Sequence, residues 1–137
     1  MSALVEDARR DGLIALPSSF EHSETLTRLE ASIRANGMSV VARVDLAAFA
    51  ADAGIPLRPS AVLMFGDPAA HAALAQAVPS IAIDLPFKVL VCRDEDGVTW
   101  LWYNDLSWLA KRHGHWRDIE CLVRDLAVSL ESVARKA

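Results

Sequence analysis

Cysteine is scarce in this sequence, and the two cysteines form no pattern typical of a disulfide framework or a zinc site. Cys92 and Cys121 are the only cysteines among 137 residues. They show neither a C-x-x-C spacing nor the ligand spacing of a structural zinc site. We therefore predict no metal site and no cofactor, and we interpret both cysteines as small buried hydrophobic side chains.

Long apolar runs are also missing. The stretch VVARVDLAAFAADAG at residues 40–54 is interrupted by charges, and no run approaches the roughly 20 residues of a transmembrane helix. The first residues, MSALVEDARRDG, mix acids with bases and contain no apolar segment of signal-peptide length. We therefore predict a soluble cytoplasmic protein with no membrane partner.

Positive charge is sparse and scattered. The chain has 14 lysines and arginines against 18 acidic residues, which gives a formal net charge of −4. Binding to nucleic acid requires a dense basic patch that neutralises phosphates. The sequence therefore predicts no nucleic-acid partner.

Sequence motifs of the common enzyme classes are absent as well. The chain contains no G-x-S-x-G, no Walker sequence and no G-x-G-x-x-G. No local pattern signals a set of Ser, His and Asp. Whether the protein is an enzyme therefore stays open at the level of sequence.

Apolar residues, in contrast, are abundant. They make up 53% of the chain, which is high for a soluble domain and indicates that a partner covers some apolar surface. The length fits one domain, residues 1–137. We therefore predict a single-domain homodimer.

The first half of the chain alternates between strands and helices. We predict a strand at 13–20, a helix capped by Ser23 and ended by Gly37, and a half-covered strand at 38–45. In that second strand, simple alternation puts Val40 with Ala42 on one face and Arg43 with Asp45 on the other. An Ala-rich helix closed by Gly54 follows, then a strand at 61–66. Asp67 before Pro68 predicts the start of the next helix, to about Val78.

The stretch IAIDLPFKVLV at residues 81–91 predicts a strand, and VTWLWYND predicts its antiparallel partner. A turn of two residues, Asp96 and Gly97, or of four residues, 94–97, gives the same assignment of faces. One predicted face carries Lys88, Leu90, Cys92, Leu101, Tyr103 and Asp105. The other carries Phe87, Val89, Val91, Trp100 and Trp102.

The last third of the chain predicts helices. LSWLAKRHG reads as a short helix ended by Gly114, and a long amphipathic helix begins at about Trp116. Its apolar stripe consists of Ile119, Leu122, Val123, Leu126, Leu130 and Val133. This helix must pack on another surface.

Three blocks together resemble the uncharacterised bacterial domain-of-unknown-function family 302. They are ETLTRLEASIRANGMSVVARVD, LRPSAVLMFGDP and AIDLPFKVLVCRDEDGVTWLWYND followed by LAKRHG. The resemblance covers residues 13–114, which form the family-like core, and leaves 115–137 as an additional C-terminal helix.

The resemblance implies an α+β fold of the TATA-binding-protein-like kind: a curved antiparallel sheet with helices on one face. It also implies a homodimer and brings no accepted activity. The family's recurrent motifs fall on Arg43, Gly66, Pro68, Asp84, Pro86, Lys88, Tyr103 and Asn104.

Asp84 and Lys88 form the first candidate site, because residues four apart in an extended strand point to the same side. The two possible hairpin registers place Tyr103 or Asp105 opposite Lys88. A cationic Lys88 beside Tyr103 suits an anionic ligand, whereas the structural alternative is a partly buried ion pair. Asn104 joins this candidate set through its motif position.

Arg43 and Asp45 form a second acid and base pair on another strand. They join the first site only if the two strands are neighbours, and otherwise form a structural pair. The tryptophans fit a core or a subunit interface better than a stacking site. His113 and His115, in HGH, fit the end of a helix better than a metal site.

Three functions follow from these features. The first is a homodimer that binds a small anionic or amphipathic ligand in a cleft of the sheet, lined by Lys88, Asp84, Tyr103 and Arg43. The alternative is a protein interaction module without small-molecule chemistry. The third is an enzyme that depends on Lys88.

Overall fold

The computed structural model describes residues 12–114 and 116–137, which form a five-stranded sheet with helices. The strands are β1 (Leu13–Ser18), β2 (Ser39–Asp45), β3 (Ser60–Gly66), β4 (Phe87–Arg93) and β5 (Thr99–Asn104). The helices are α1 (His22–Ala35), α2 (Leu46–Asp52), α3 (Pro68–Ala77), α4 (Leu106–Arg112) and α5 (Glu120–Arg135), with two 3₁₀ helices, η1 (Pro79–Asp84) and η2 (Trp116–Ile119). The predictions about the first eleven residues and about His115 lie outside the described residues.

All strand pairs are antiparallel, in the order β1-β5-β4-β3-β2. β1 and β2 therefore occupy opposite edges, and α1, which joins them in sequence, contacts β2 and β4 on its way across the sheet. The helices pack on one face, and the chain ends with the amphipathic helix α5. The α+β fold class predicted from the sequence is confirmed.

The core lies between the sheet and the helices, on what we call the covered face. Leu63, Phe65, Val89 and Val91 of the central strands are fully buried there. The helical stripes predicted from the sequence meet these side chains: Leu26, Leu29, Ile33, Val123, Leu130 and Val133 are all buried. The helix α5 is therefore part of the core.

Aspartate side chains cap α2, α3 and α4, whereas α1 and α5 begin without a side-chain capping hydrogen bond. The carboxylate of Asp67 accepts from the backbone N–H of Ala69 at 3.0 Å, as predicted. The prediction for Ser23 was wrong, because α1 begins at His22 and its N-cap is Glu21, which makes no side-chain capping hydrogen bond. Ser23 lies inside the first turn.

Two strand predictions also need correction. Residues 81–84 belong to the 3₁₀ helix η1, and β4 begins only at Phe87, so Asp84 and Lys88 do not lie in one extended segment. In β2 a bulge shifts the register between Val40 and Ala42. Val40 therefore shares the covered face with Arg43, whereas simple alternation put them on opposite faces.

The face assignment of the hairpin was wrong. Arg93 pairs with Thr99, so five residues separate the last paired positions, whereas both predicted turns contained an even number. A loop that is longer by an odd number of residues shifts the pairing of the two strands by one position. The side chains of one strand then lie on the opposite face from the one predicted. Tyr103 and Leu101 therefore lie with Val89 on the covered face, and Lys88 lies with Trp100 and Trp102 on the opposite face, which we call the open face.

Candidate functional site

The predicted site residues do not converge in one cleft. Lys88 and Asn104 lie on the open face. They are neighbours on β4 and β5, each one position past the paired residues Val89 and Tyr103. Tyr103 lies on the covered face, and so does Arg43, which is on the edge strand β2. Since β3 and β4 separate β2 from β5, Arg43 and Tyr103 are also three strands apart.

Lys88 and Asp84 have different partners. The Lys88 ammonium donates to the carbonyl oxygen of Pro86 at 3.2 Å, whereas Asp84 contacts Arg112 and His113. Among the described residues no ion pair joins Asp84 to Lys88. The two side chains do line a space with Asn104, but its volume is only about 10 Å³, which is the size of a single water site.

Arg43 and Asp45 are likewise engaged separately. The Arg43 guanidinium is half exposed and lies 3.5 Å from the Glu30 carboxylate on α1. Asp45 is the N-cap of α2 and accepts from the N–H of Ala48 at 2.9 Å. The contact between β2 and α1 accounts for Arg43, and the cap of α2 accounts for Asp45.

A cluster that sequence reasoning missed surrounds Asp84. Nε2 of His113 lies 2.5 Å from Oδ2 of Asp84, and Nδ1 of the same ring lies 2.8 Å from Oγ of Ser80. The Arg112 guanidinium lies 3.4 Å from the other carboxylate oxygen. This set depends on the contact between η1 and α4, so no local sequence pattern could reveal it.

Tyr103 lines a cavity of about 380 Å³ between α5 and the β1–β5 edge of the covered face. Most of its wall is aliphatic: Leu13, Ile14, Leu16, Leu106, Ala127 and Leu130. The polar groups at its boundary are Asp105, Glu131 and Arg135 besides Tyr103. An aliphatic wall with a few polar groups is typical of a small-molecule site.

Burial raises the pKa of the Tyr103 phenol, and the negative charge of Glu131 raises it further, while Arg135 opposes the shift. The phenol is therefore protonated at neutral pH and can act as a hydrogen-bond donor. Within the described part of the chain its hydroxyl has no hydrogen-bond partner. Nε of Arg135 donates to Glu131 at 2.8 Å, and the remaining guanidinium N–H groups can bind other acceptors.

A second cavity, of about 530 Å³, shares Leu16 and Arg135 with the first. Its wall includes two further cationic residues, Arg28 and Lys136. The guanidinium of Arg28 lies 3.7 Å from the centre of the Phe20 ring. The aliphatic cavity therefore adjoins a more basic one.

The open face is apolar, and no helix of residues 12–114 and 116–137 packs on it. Val62, Met64, Leu90, Trp100 and Trp102 are only partly buried there. Cys92 is half-buried on the same face, and its burial raises the pKa of the thiol. Cys121 is exposed, so the prediction of a buried side chain is wrong for this cysteine.

His71 occupies the space beside Gly66 at the end of β3. Its ring packs edge-on against Phe87 with the ring centres 4.6 Å apart, and its Nδ1 atom is buried without a partner in the described residues. Burial lowers the pKa of His71, although the carbonyl oxygen of Phe65 opposes the shift. Within 12–114 and 116–137 no group of three or more His, Cys, Asp and Glu side chains is arranged to hold a metal ion.

Two relatives from Brucella match most of the chain. The fluoride-specific ion channel FluC 1 of Brucella suis biovar 1 (strain 1330) is 33% identical over 126 residues, which cover 92% of this chain and 50% of that protein. FluC 1 of Brucella abortus biovar 1 (strain 9-941) is also 33% identical, with 47% of its length covered. The chain thus spans about half the length of the curated relatives it matches. In the described residues, every helix is too short or too polar to cross a bilayer.

One solved structure shares the fold. It is the crystal structure of an uncharacterized conserved protein DUF302 from Bacillus stearothermophilus, with a TM-score of 0.84 and 18% identity, covering 91% of this chain and 97% of that one. The family described as Domain of unknown function DUF302 matches residues 14–137, and thus includes α5. The resemblance found in the sequence is confirmed, and the chain belongs to the DUF302 family.

Proposed function

We propose that this domain binds a small amphipathic anion in the cavity beside Tyr103. The observation that carries the proposal is the cavity of about 380 Å³, which has an aliphatic wall and, at its boundary, the Arg135 guanidinium beside the carboxylates of Glu131 and Asp105. Its volume falls within the range of roughly 300 to 1,000 Å³ that small-molecule sites occupy. The proposal keeps Tyr103 from the predicted site and replaces Lys88 with Arg135 as the cationic group.

The polar groups divide the cavity into two chemical parts. Leu106, Ala127 and Leu130 contact the apolar part of the ligand, while the Tyr103 hydroxyl and the free N–H groups of Arg135 bind its anionic group. A protonated phenol and a guanidinium are both donors, which suits a carboxylate or sulfonate. The adjoining basic cavity accommodates ligands with a larger anionic head.

The first experiment fills the cavity. Ala127→Leu adds a branched side chain to the cavity wall, and Val128→Leu, at the next position of α5, is the control because Val128 is exposed. We expect Ala127→Leu to weaken binding of the fluorescent anion 8-anilinonaphthalene-1-sulfonate by at least about tenfold, or 1.4 kcal/mol. Equal affinities in the two variants, with both folded by circular dichroism, would contradict the proposal.

The second experiment removes the cation. Arg135→Gln should weaken binding of the same probe several-fold and reduce its dependence on salt. Arg124→Gln is a matched control, since Arg124 also pairs with a glutamate one turn earlier on α5, at Glu120. Native mass spectrometry of freshly purified protein, compared with its denatured mass, identifies any ligand retained from the cell.

We infer a second function, self-association, from the open face. Leu90, Trp100 and Trp102 form an apolar surface on the side where the described residues place no helix, and a second copy can pack its own open face against it. This supports the predicted homodimer and the interaction module. The occurrence of a similar domain as half of longer Brucella proteins also fits a module that contacts another folded unit.

Sedimentation velocity tests this second function. Leu90→Glu puts a charge at the centre of the open face, and Val128→Glu puts the same charge on an exposed site of α5 as a control. We expect Leu90→Glu to give monomers and Val128→Glu to leave dimers intact. Dimers in both variants would place the interface elsewhere, and a monomeric wild type would overturn self-association. The enzyme that depends on Lys88 stays a prediction; among the described residues the Lys88 ammonium donates a hydrogen bond to the carbonyl oxygen of Pro86.

A further inference from the structure

Three hydrogen-bonding side chains join η1 to the end of α4 in series. His113 directly follows α4, and its Nδ1 atom lies 2.8 Å from Oγ of Ser80 at the start of η1. Its Nε2 atom lies 2.5 Å from Oδ2 of Asp84, the last residue of η1. A hydroxyl, an imidazole and a carboxylate are thus connected through the two nitrogens of one ring.

The partners determine the positions of the protons. An ionised carboxylate only accepts hydrogen bonds, so Nε2 of His113 carries a proton and donates a hydrogen bond to Asp84. In the neutral ring Nδ1 is then an acceptor, and the Ser80 hydroxyl donates to it. The Arg112 guanidinium, 3.4 Å from Asp84, adds a positive charge beside the carboxylate. This is the arrangement in which an imidazole can take a proton from a serine.

The three side chains differ in burial: the base and the carboxylate are shielded, and the hydroxyl, which would be the nucleophile, is exposed. The His113 side chain is 8% exposed and that of Asp84 16%, so protein surrounds the base and its orienting carboxylate. Ser80, in contrast, is exposed and accessible to a molecule from solvent. An accessible hydroxyl on a shielded base, oriented in turn by a carboxylate, is the general geometry of nucleophilic catalysis.

We propose that Ser80 is a nucleophile for acyl transfer from small esters, with His113 as its base and Asp84 as the residue that positions His113. Oγ of Ser80 forms a bond to the ester carbonyl carbon while its proton moves to Nδ1 of His113. The bond from that carbon to the alcohol oxygen breaks, and the proton passes to the leaving alcohol. Water then attacks the acyl carbon and gives a proton to Nδ1 of His113. The bond from that carbon to Oγ breaks as the proton passes to Oγ, and the carboxylic acid leaves.

The surroundings indicate the class of substrate. Residues three apart share one face of a 3₁₀ helix, so Ile83 lies on the same face of η1 as Ser80. Its side chain is 77% exposed and provides an apolar contact for a short acyl chain. None of these residues lines the cavity beside Tyr103, so this inference and the proposed ligand site can fail independently.

An alkyl fluorophosphonate tests the nucleophile directly, because Oγ bonds to phosphorus as fluoride leaves. We expect one adduct per chain by intact mass, mapped to Ser80 by peptide mass, and no adduct in Ser80→Ala. Ser23→Ala, at another exposed serine, should label like the wild type. His113→Asn should slow labelling by about 100-fold or more. No adduct, an adduct at another residue, or an unchanged rate in folded His113→Asn would overturn the proposal.

A second variant decides the question if His113→Asn does not fold. Ser80→Cys places a thiol on the same base, and Ser23→Cys places one on an exposed site without a base. A thiol whose proton His113 can accept reacts faster, since the thiolate is the nucleophile. We expect iodoacetamide to alkylate the thiol at position 80 at least about tenfold faster than the one at position 23, measured by peptide mass. Equal rates would show that the contact with Ser80 only ties η1 to α4.

Discussion

The two faces of the sheet are both apolar, but in the part of the chain that the structure describes, helices cover only one of them. On the covered face Leu63, Val89 and Leu101 are at most 1% exposed under the helices. On the open face Leu90, at the position next to Val89, is only partly buried. Alternation along the strands therefore gives two surfaces of similar composition and different burial. Apolar composition alone does not locate the core; the packing of the helices does.

The largest expected effect comes from shortening one leucine on each face. Leu63→Ala should lower the free energy of unfolding by about 3 kcal/mol, because it leaves a cavity in a packed core. Leu90→Ala should cost only about 1 kcal/mol in the monomer, since its side chain is already partly in solvent. Urea denaturation at several protein concentrations measures both.

Concentration dependence sharpens this comparison. If a second copy covers the open face, the loss of unfolding free energy caused by Leu90→Ala rises with protein concentration. The loss caused by Leu63→Ala should be the same at every concentration. Equal costs for the two variants at low concentration would show that the open face is covered within the monomer. Such a result would contradict the distinction between the faces.

The next effect concerns the end of β3. In Gly66→Ala the new methyl group would overlap the His71 ring, and the ring must move away from Phe87. We expect a loss of about 2 kcal/mol, typical of overpacking. The double variant with His71→Ala should be more stable than the sum of the two single changes predicts. Additive losses, measured by urea denaturation, would show that the ring does not restrict this position.

The smallest effect depends on pH. Burial lowers the pKa of His71 in the folded state, so below about pH 6.5 the unfolded chain binds more protons at this residue than the folded one. His71 therefore favours unfolding as the pH falls from about 6.5 through its native pKa. Thermal unfolding of the wild type and of His71→Leu, from about pH 8 to about pH 5, should show a smaller decline in the variant. Parallel declines would rule out a contribution from His71.

The order of the strands and α-helices could be predicted from the sequence, because it depends on local patterns, whereas the 3₁₀ helix η1 was predicted in part as a strand. Stripes such as Leu26, Leu29 and Ile33 and caps such as Asp67 are contained in a few consecutive residues. The faces of the hairpin could not be predicted, because they depend on the length of one turn. There Asp94 accepts from the N–H groups of Asp96 and Val98, both at 2.9 Å, and these hydrogen bonds stabilise a loop of five residues.

Single residues of the candidate site could be selected from the sequence, but their arrangement in space could not. Tyr103 and Lys88 fall in recognisable motifs, but the exchange of faces puts one beside the helices and the other on the open side. Ser80 lies outside the quoted blocks and His113 lies near the end of LAKRHG, and only the contact between η1 and α4 brings them together. Sites made by contacts between distant elements are not visible in local patterns.

The strand order has a consequence for how the chain folds during synthesis. Of the five described strands β1 is made first, and it pairs with β5, where Leu13 lies opposite Asn104. The ribosome releases β1 long before β5 is made. β1 therefore stays unpaired until almost the whole sheet has been synthesised, while α1 forms locally. Pairing over such a separation is slow. The growing chain therefore exposes an apolar strand until β5 emerges, and that interval is when a chaperone would protect it most.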